Sequence, residues 1–84
     1  METVSILLPA RNEAPRICNN LRRVCDVARE LCATHWRGLV DTFEVVVVDD
    51  GSTDATWQEI QRAASAAPCI VPVQLTHNCG KGWA

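Results

Sequence analysis

The sequence predicts an α/β fold: a β-α-β-α-β unit on a parallel sheet that is incomplete within its 84 residues. Three observations predict it. Apolar runs at residues 4–8, 45–48 and 70–75 alternate with two stretches of helical periodicity. The run of four valines at 45–48 has no polar alternation, the pattern of a strand covered on both faces, as parallel strands are. Polar loops then follow the strands at 9–13, 49–54 and 77–81. In open α/β sheets that is the edge where ligands bind.

The first run, VSILL, is short, β-branched and ended by Pro9, which reads as a strand. From Ala14 the period changes. Ile17, Leu21, Val24, Ala28 and Leu31 recur at intervals of four and three, with Arg16, Arg22, Arg23, Asp26, Arg29 and Glu30 between them. That spacing predicts an amphipathic helix, with Pro15 in its first turn, where a missing N–H is harmless. The helix fades at 33–35, and a long connection marked by Gly38 leads to the valine strand. Gly51, Ser52 and Thr53 form a turn. Trp57, Ile60, Ala64 and Ala67 define one face of a second helix that ends before Pro68. Residues 70–75 give the third strand, whose register or edges Pro72 leaves open. The final THNCGKGWA reads as a loop that can begin another helix.

Two crossovers progressing in one direction place both helices on the same face of the sheet. The other face then lacks a cover, although the valines are apolar on both sides. The missing layer must come from residues after position 84 or from another chain. Residues 1–84 are therefore expected to form the N-terminal part of a larger domain.

Composition narrows the function classes. A hydrophobic fraction of 48% excludes a disordered chain. A net charge of −2 and a pI near 5.5 argue against nucleic acid or an anionic membrane surface as partner. Five cysteines occur without a CxxC pair. Cys18, Cys25 and Cys32, spaced by seven, read as small apolar residues along a helix, with Cys69 and Cys79 isolated from them, and a reducing compartment fits. Glu2 stands where a secretory signal carries positive charge, so the chain is expected to be soluble and unprocessed.

The chemistry lies in the strand-end loops. Of Asp49 and Asp50, one can cap the following helix, but Ser52, Thr53 and Asp54 already offer cap oxygens. A capping box is absent, because Ala55 and Thr56 stand where Glu or Gln is needed. A second carboxylate has three physical targets: ribose hydroxyls, a base N–H or a divalent metal. Gly51 suits a turn or a close ligand approach. Arg11, Asn12 and Glu13 form a polar cluster after the first strand. Asn12 can cap a helix, Arg11 can face solvent, and Glu13 can meet a sugar hydroxyl or the helix N-terminus. Lys81 lies in no phosphate-binding P-loop: Leu75 replaces the leading glycine and Gly82 the following Ser or Thr. It reads either as a loop lysine or as a point charge for a phosphate. His35 and His77 lack metal-ligand spacing.

VSILLPARNEA, EVVVVDDGSTDAT and HNCGKGWA together resemble the opening motifs of the family 2 glycosyltransferases, inverting enzymes with a Rossmann-like GT-A nucleotide-sugar-binding domain. Within that family the chain is most similar to the polyprenyl- or dolichyl-phosphate mannosyl- and glucosyltransferases. The resemblance implies that Pro9, Arg11, Asn12 and Glu13 line the nucleotide pocket, with the acidic residue at the ribose. It implies that Asp49 and Asp50 include a carboxylate contacting base or ribose, that Ser52 and Asp54 complete that loop, and that Lys81 is the basic residue of the third motif. A later DxD-type motif carries Mg2+ or Mn2+ in such enzymes. The sequence stops before it, so no metal ligand and no catalytic base can be assigned here.

The resulting expectation is the donor-binding start of a hexosyltransferase. It would use a UDP- or GDP-sugar and a polyprenyl phosphate acceptor, in the cytoplasm or at the cytoplasmic face of a membrane, with any membrane association in the missing parts. The isolated piece is expected to be inactive and to self-associate. The rival readings are another α/β nucleotide-binding protein, such as a nucleotidyltransferase, and a non-catalytic interaction fragment.

Overall fold

The computed structural model describes residues 2–75. Its elements are β1 (Glu2–Ala10), α1 (Ile17–Ala33), β2 (Val40–Asp50), α2 (Thr56–Ala66) and β3 (Ile70–Leu75). The strands form one parallel sheet in the order β1-β2-β3. The predicted order and strand sense hold.

Several boundaries differ from the sequence reading. α1 begins at Ile17, so Pro15 lies in the turn before the helix and not in its first turn. β1 continues through Pro9, which pairs with Val48, instead of ending there. Among the described residues β1 is an edge strand, where a missing N–H is tolerated. β2 begins at Val40, five residues before the valine run. The connection after α1 is therefore only residues 34–39, with Gly38 at φ 84°. Polar cross-strand pairs hold the earlier half of β2. Thr3 and Thr42 share a hydrogen bond of 2.7 Å, and the Ser5 hydroxyl donates to Glu44. Such residues carry no hydrophobic signal.

The core explains the layering. Ala10, Ile17, Leu21, Cys25, Val45, Val47, Ile60 and Ile70 form one buried cluster. Since both helices contribute to it, both cover the same face of the sheet. Leu21 and Ile60 are completely buried, each contributing roughly 1.5–3 kcal/mol relative to exposure. Among the described residues, nothing covers the opposite face. There the register sets Leu7 beside Val46 and Val71, and Pro9 beside Val48 and Val73. Leu7 is 71% exposed. Beside β1 the layer is also unclosed: a groove of about 550 Å3, lined by Ile6, Leu8, Val24, Val27 and Leu31, runs between β1 and α1.

One cysteine assignment changes. Cys69 is not isolated, because its Sγ lies 3.6 Å from that of Cys25, joining α1 to the turn before β3. Burial, with the Cys69 thiol alongside, pushes the Cys25 thiol up to about 11. Cys18 instead faces Glu59, donating to its backbone oxygen at 3.6 Å and its carboxylate at 3.4 Å. Among the described residues, no helix is long and apolar enough to cross a membrane.

Candidate functional site

Parallel strands bring the C-terminal ends of β1, β2 and β3 to one edge. Among the described residues two loops stand there, residues 11–16 after β1 and 51–55 after β2.

Strand alternation separates the two aspartates. Asp49 is in phase with Val45 and Val47 on the helix-covered side, and is 1% exposed. A carboxylate so placed needs partners. Its Oδ1 accepts from the Ser52 amide at 3.2 Å and from the Ser52 hydroxyl. Gly51, at φ 71°, supplies the left-handed backbone that folds the chain back for these bonds. Asp50 points to the open face and is exposed, and its carboxylate has no hydrogen bond or ion pair to another described residue.

The two loops are clasped together. Three consecutive amides of the first loop are accepted by side chains of the second loop and of Thr56, the first residue of α2. Asn12 N–H donates to Ser52 Oγ at 2.9 Å, Glu13 N–H to Thr56 Oγ1 at 2.7 Å, and Ala14 N–H to Asp54 Oδ2 at 3.4 Å. Asn12 answers in the other direction. Its Oδ1 accepts from the Thr53 amide at 2.9 Å and the Thr53 hydroxyl at 3.3 Å. These bonds offset the cost of the left-handed backbone at Asn12, φ 52°. Asn12 thus caps no helix; it fastens one loop to the other.

Asp54 caps α2. Its Oδ1 accepts from the Thr56 amide at 2.9 Å and from the Thr56 hydroxyl, an Asx turn in place of a capping box. The Thr56 hydroxyl, followed by the Thr56 and Ala14 amides, holds the Asp54 carboxyl below its ordinary pKa. The Glu13 carboxylate is half-buried and takes up Arg16, whose Nε and Nη2 both lie 3.0 Å from Oε1. Arg11 is exposed, with no ion pair to a described residue, and Pro9 is exposed on the open face.

The predicted residues thus divide by environment. Asn12, Asp49, Ser52 and Asp54 build the loop–loop clasp. Arg11 and Asp50 remain as uncommitted charges at the rim, and Glu13 stands between the two groups. Lys81 and the rest of residues 76–84 lie outside the described residues. The sequence reading missed Thr56, which is fully buried and joins both loops. Its signal was the Asp54-x-Thr56 spacing at a helix start.

A divalent metal does not fit the described residues. Among them, no three His, Cys, Asp or Glu side chains stand close enough to share an ion. Alternation also sends the carboxylates of Asp49 and Asp50 to opposite faces of β2, so this pair cannot converge on one cation.

An open parallel sheet, helices on one face and two joined loops at the strand ends define the first part of an α/β ligand-binding domain. The particular family is also fixed: residues 5–84 match the model for glycosyl transferase family 2, and the chain belongs to that family. It is 35% identical over 82 residues to an undecaprenyl-phosphate 4-deoxy-4-formamido-L-arabinose transferase of Pseudomonas paraeruginosa, covering 96% of this chain and 22% of that protein. It is 32% identical over 81 residues to the dolichyl-phosphate beta-glucosyltransferase ALG5D of Trichomonas vaginalis, covering 96% and 24%. Among solved structures it resembles the mannosyltransferase PcManGT of Pyrobaculum calidifontis, in complex with GDP-Man and Mn2+. That match has a TM-score of 0.64 and 33% identity, and covers 93% of this chain and 21% of the other. The chain thus spans between a fifth and a quarter of the length of these relatives.

Proposed function

We propose that residues 1–84 are the N-terminal, donor-binding part of an inverting glycosyltransferase that transfers a hexose from a UDP- or GDP-sugar to a polyprenyl phosphate. One observation carries the reading. The clasp occupies the amides of the first loop and leaves Arg11 and Asp50 as uncommitted charges at the ligand edge of the sheet. An exposed carboxylate at the end of β2 suits hydroxyl or base N–H donors of a nucleoside, and Arg11 suits phosphate oxygens. The relatives named for polyprenyl-phosphate sugar transfer support the acceptor class, and the GDP-Man complex supports the donor class.

In the proposed reaction an acceptor phosphate oxygen attacks the anomeric carbon, and the nucleoside diphosphate leaves with inversion. In this chain Asp50 and Arg11 would orient the nucleoside and diphosphate, with Glu13 beside them. Mg2+ or Mn2+ is proposed for the full-length enzyme, bound outside the described residues; the Mn2+ of the related mannosyltransferase structure supports a divalent ion. The open apolar sheet face and the groove beside β1 support a larger domain, continuing through a DxD-type motif. The proposed site of action is the cytoplasmic face of a membrane.

The test is calorimetric titration of the full-length protein with UDP-glucose and GDP-mannose in the presence of Mn2+, before and after Asp50→Ala. Binding of one donor, weakened about tenfold or more by the substitution, is expected for a lost charged hydrogen bond. If neither donor binds, the donor reading falls. An unchanged affinity removes Asp50 from the site.

A further inference from the structure

We infer that Thr56 is a positioning residue of the proposed donor site, setting Glu13 and its loop relative to the strand end that carries Asp50. The inference rests on the donor-binding reading above. Thr56 opens α2, and its side chain is completely buried. Its Oγ1 accepts the Glu13 N–H at 2.7 Å, and its own proton goes to Asp54 Oδ1. A hydroxyl has one proton, so the direction of this relay is settled: Glu13 amide to Thr56, Thr56 to the Asp54 carboxylate. The same carboxylate takes the amides of Thr56 and Ala14.

The relay ends on a rigid support. One turn further along α2, Ile60 is fully buried in the core with Val45 and Val47 of β2. The backbone of Glu13 is thereby referenced, through α2, to the strand that ends in Asp50. Without the Thr56 oxygen, the Glu13 amide loses its acceptor, and Asn12, already left-handed at φ 52°, keeps only its bonds to Ser52 and Thr53. Glu13 and Arg11 would then sample several placements. Binding would carry the cost of ordering them.

The experiment uses the full-length protein with Thr56→Val, which keeps the side-chain volume and removes the hydroxyl, and Thr56→Ser, which restores it. Amide hydrogen exchange reads the clasp, and calorimetry with GDP-mannose or UDP-glucose in Mn2+ reads the site. In Thr56→Val, protection at Glu13 and Ala14 is expected to collapse and donor affinity to drop about tenfold, the scale of one lost hydrogen bond. Thr56→Ser is expected to recover both. Ile70→Val, a core change at the start of β3 and outside the relay, serves as the stability control: it lowers the melting temperature and leaves donor affinity unchanged. If Thr56→Val does not fold, Thr56→Ala, which also removes the hydroxyl, is read in the same way. Protection at Glu13 that survives loss of the hydroxyl overturns the relay, whatever the donor does. Lost protection with unchanged affinity overturns the positioning role and leaves the donor reading standing. A wild-type protein that binds neither donor, with the relay intact, overturns the donor reading and the positioning role with it.

Discussion

The amide of Glu13 lies 2.7 Å from the hydroxyl oxygen of Thr56, a residue 43 positions later in the chain. With the Asn12–Ser52 and Ala14–Asp54 bonds on either side, it closes a row of three amides that an anion could otherwise have used. Among the described residues, this edge of the sheet therefore offers side chains in place of those three amides. That division governs how substitutions there should behave.

Asp49 and Asp50 should separate cleanly. Asp49→Ala removes a buried acceptor that serves both the amide and the hydroxyl of Ser52, and should destabilise the fold by about 1–3 kcal/mol. Asp50→Ala removes an exposed carboxylate and should change stability by less than about 0.5 kcal/mol. Denaturant unfolding of the two variants checks this. Equal destabilisation would contradict the opposed orientations.

Acid should loosen the clasp through Asp54. Its carboxyl titrates lower in the folded chain than in the unfolded chain, so the unfolded state takes up a proton first as pH falls. The contribution is complete above the ordinary aspartate value of about 3.9. It is lost as pH drops through the lowered native value. Asp54→Asn should flatten the acid limb of a melting-temperature profile in that window. An unchanged limb would show that Asp54 plays no part in it.

The Cys25–Cys69 contact predicts a selective cross-link. Diamide should join these two thiols, and dithiothreitol should release them. Cys18 and Cys32 each lie two helical turns from Cys25, about 10 Å along α1 and beyond disulfide reach. Because burial raises the Cys25 thiol to about 11, its alkylation should be slow at neutral pH and accelerate as pH rises toward that value. Peptide mapping by mass spectrometry identifies the linked pair. A dominant Cys25–Cys18 or Cys25–Cys32 product would refute the packing of α1.

The open sheet face should drive self-association of the isolated 84-residue chain. Leu7, 71% exposed, extends the Val46 and Val71 row, and Leu7→Lys places a charge there. Sedimentation velocity should show concentration-dependent oligomers for the parent chain and fewer for the variant. A parent chain that stays monomeric at all concentrations would contradict an adhesive face.

The sequence by itself determined the element order, the parallel sheet, the shared helix face and the convergence of polar loops at one edge. Periodicity records these directly, because each helix and strand must present its apolar residues to one core. The paired loops were named residue by residue as well, although Asn12, Ser52 and Asp54 were expected at the ligand rather than at each other. Tertiary structure alone decided three things: which aspartate is buried, what the loop side chains hold, and that Cys69 meets Cys25. For the aspartates the reason is specific. Four consecutive valines carry no alternation, so nothing in residues 45–48 says which phase of β2 the helices cover. Once α1 and α2 pack over Val45 and Val47, Asp49 is carried inward and Asp50 outward. The clasp was hidden for a related reason: its bonds join residues some 40 positions apart, and only the register of β1 on β2 brings them together.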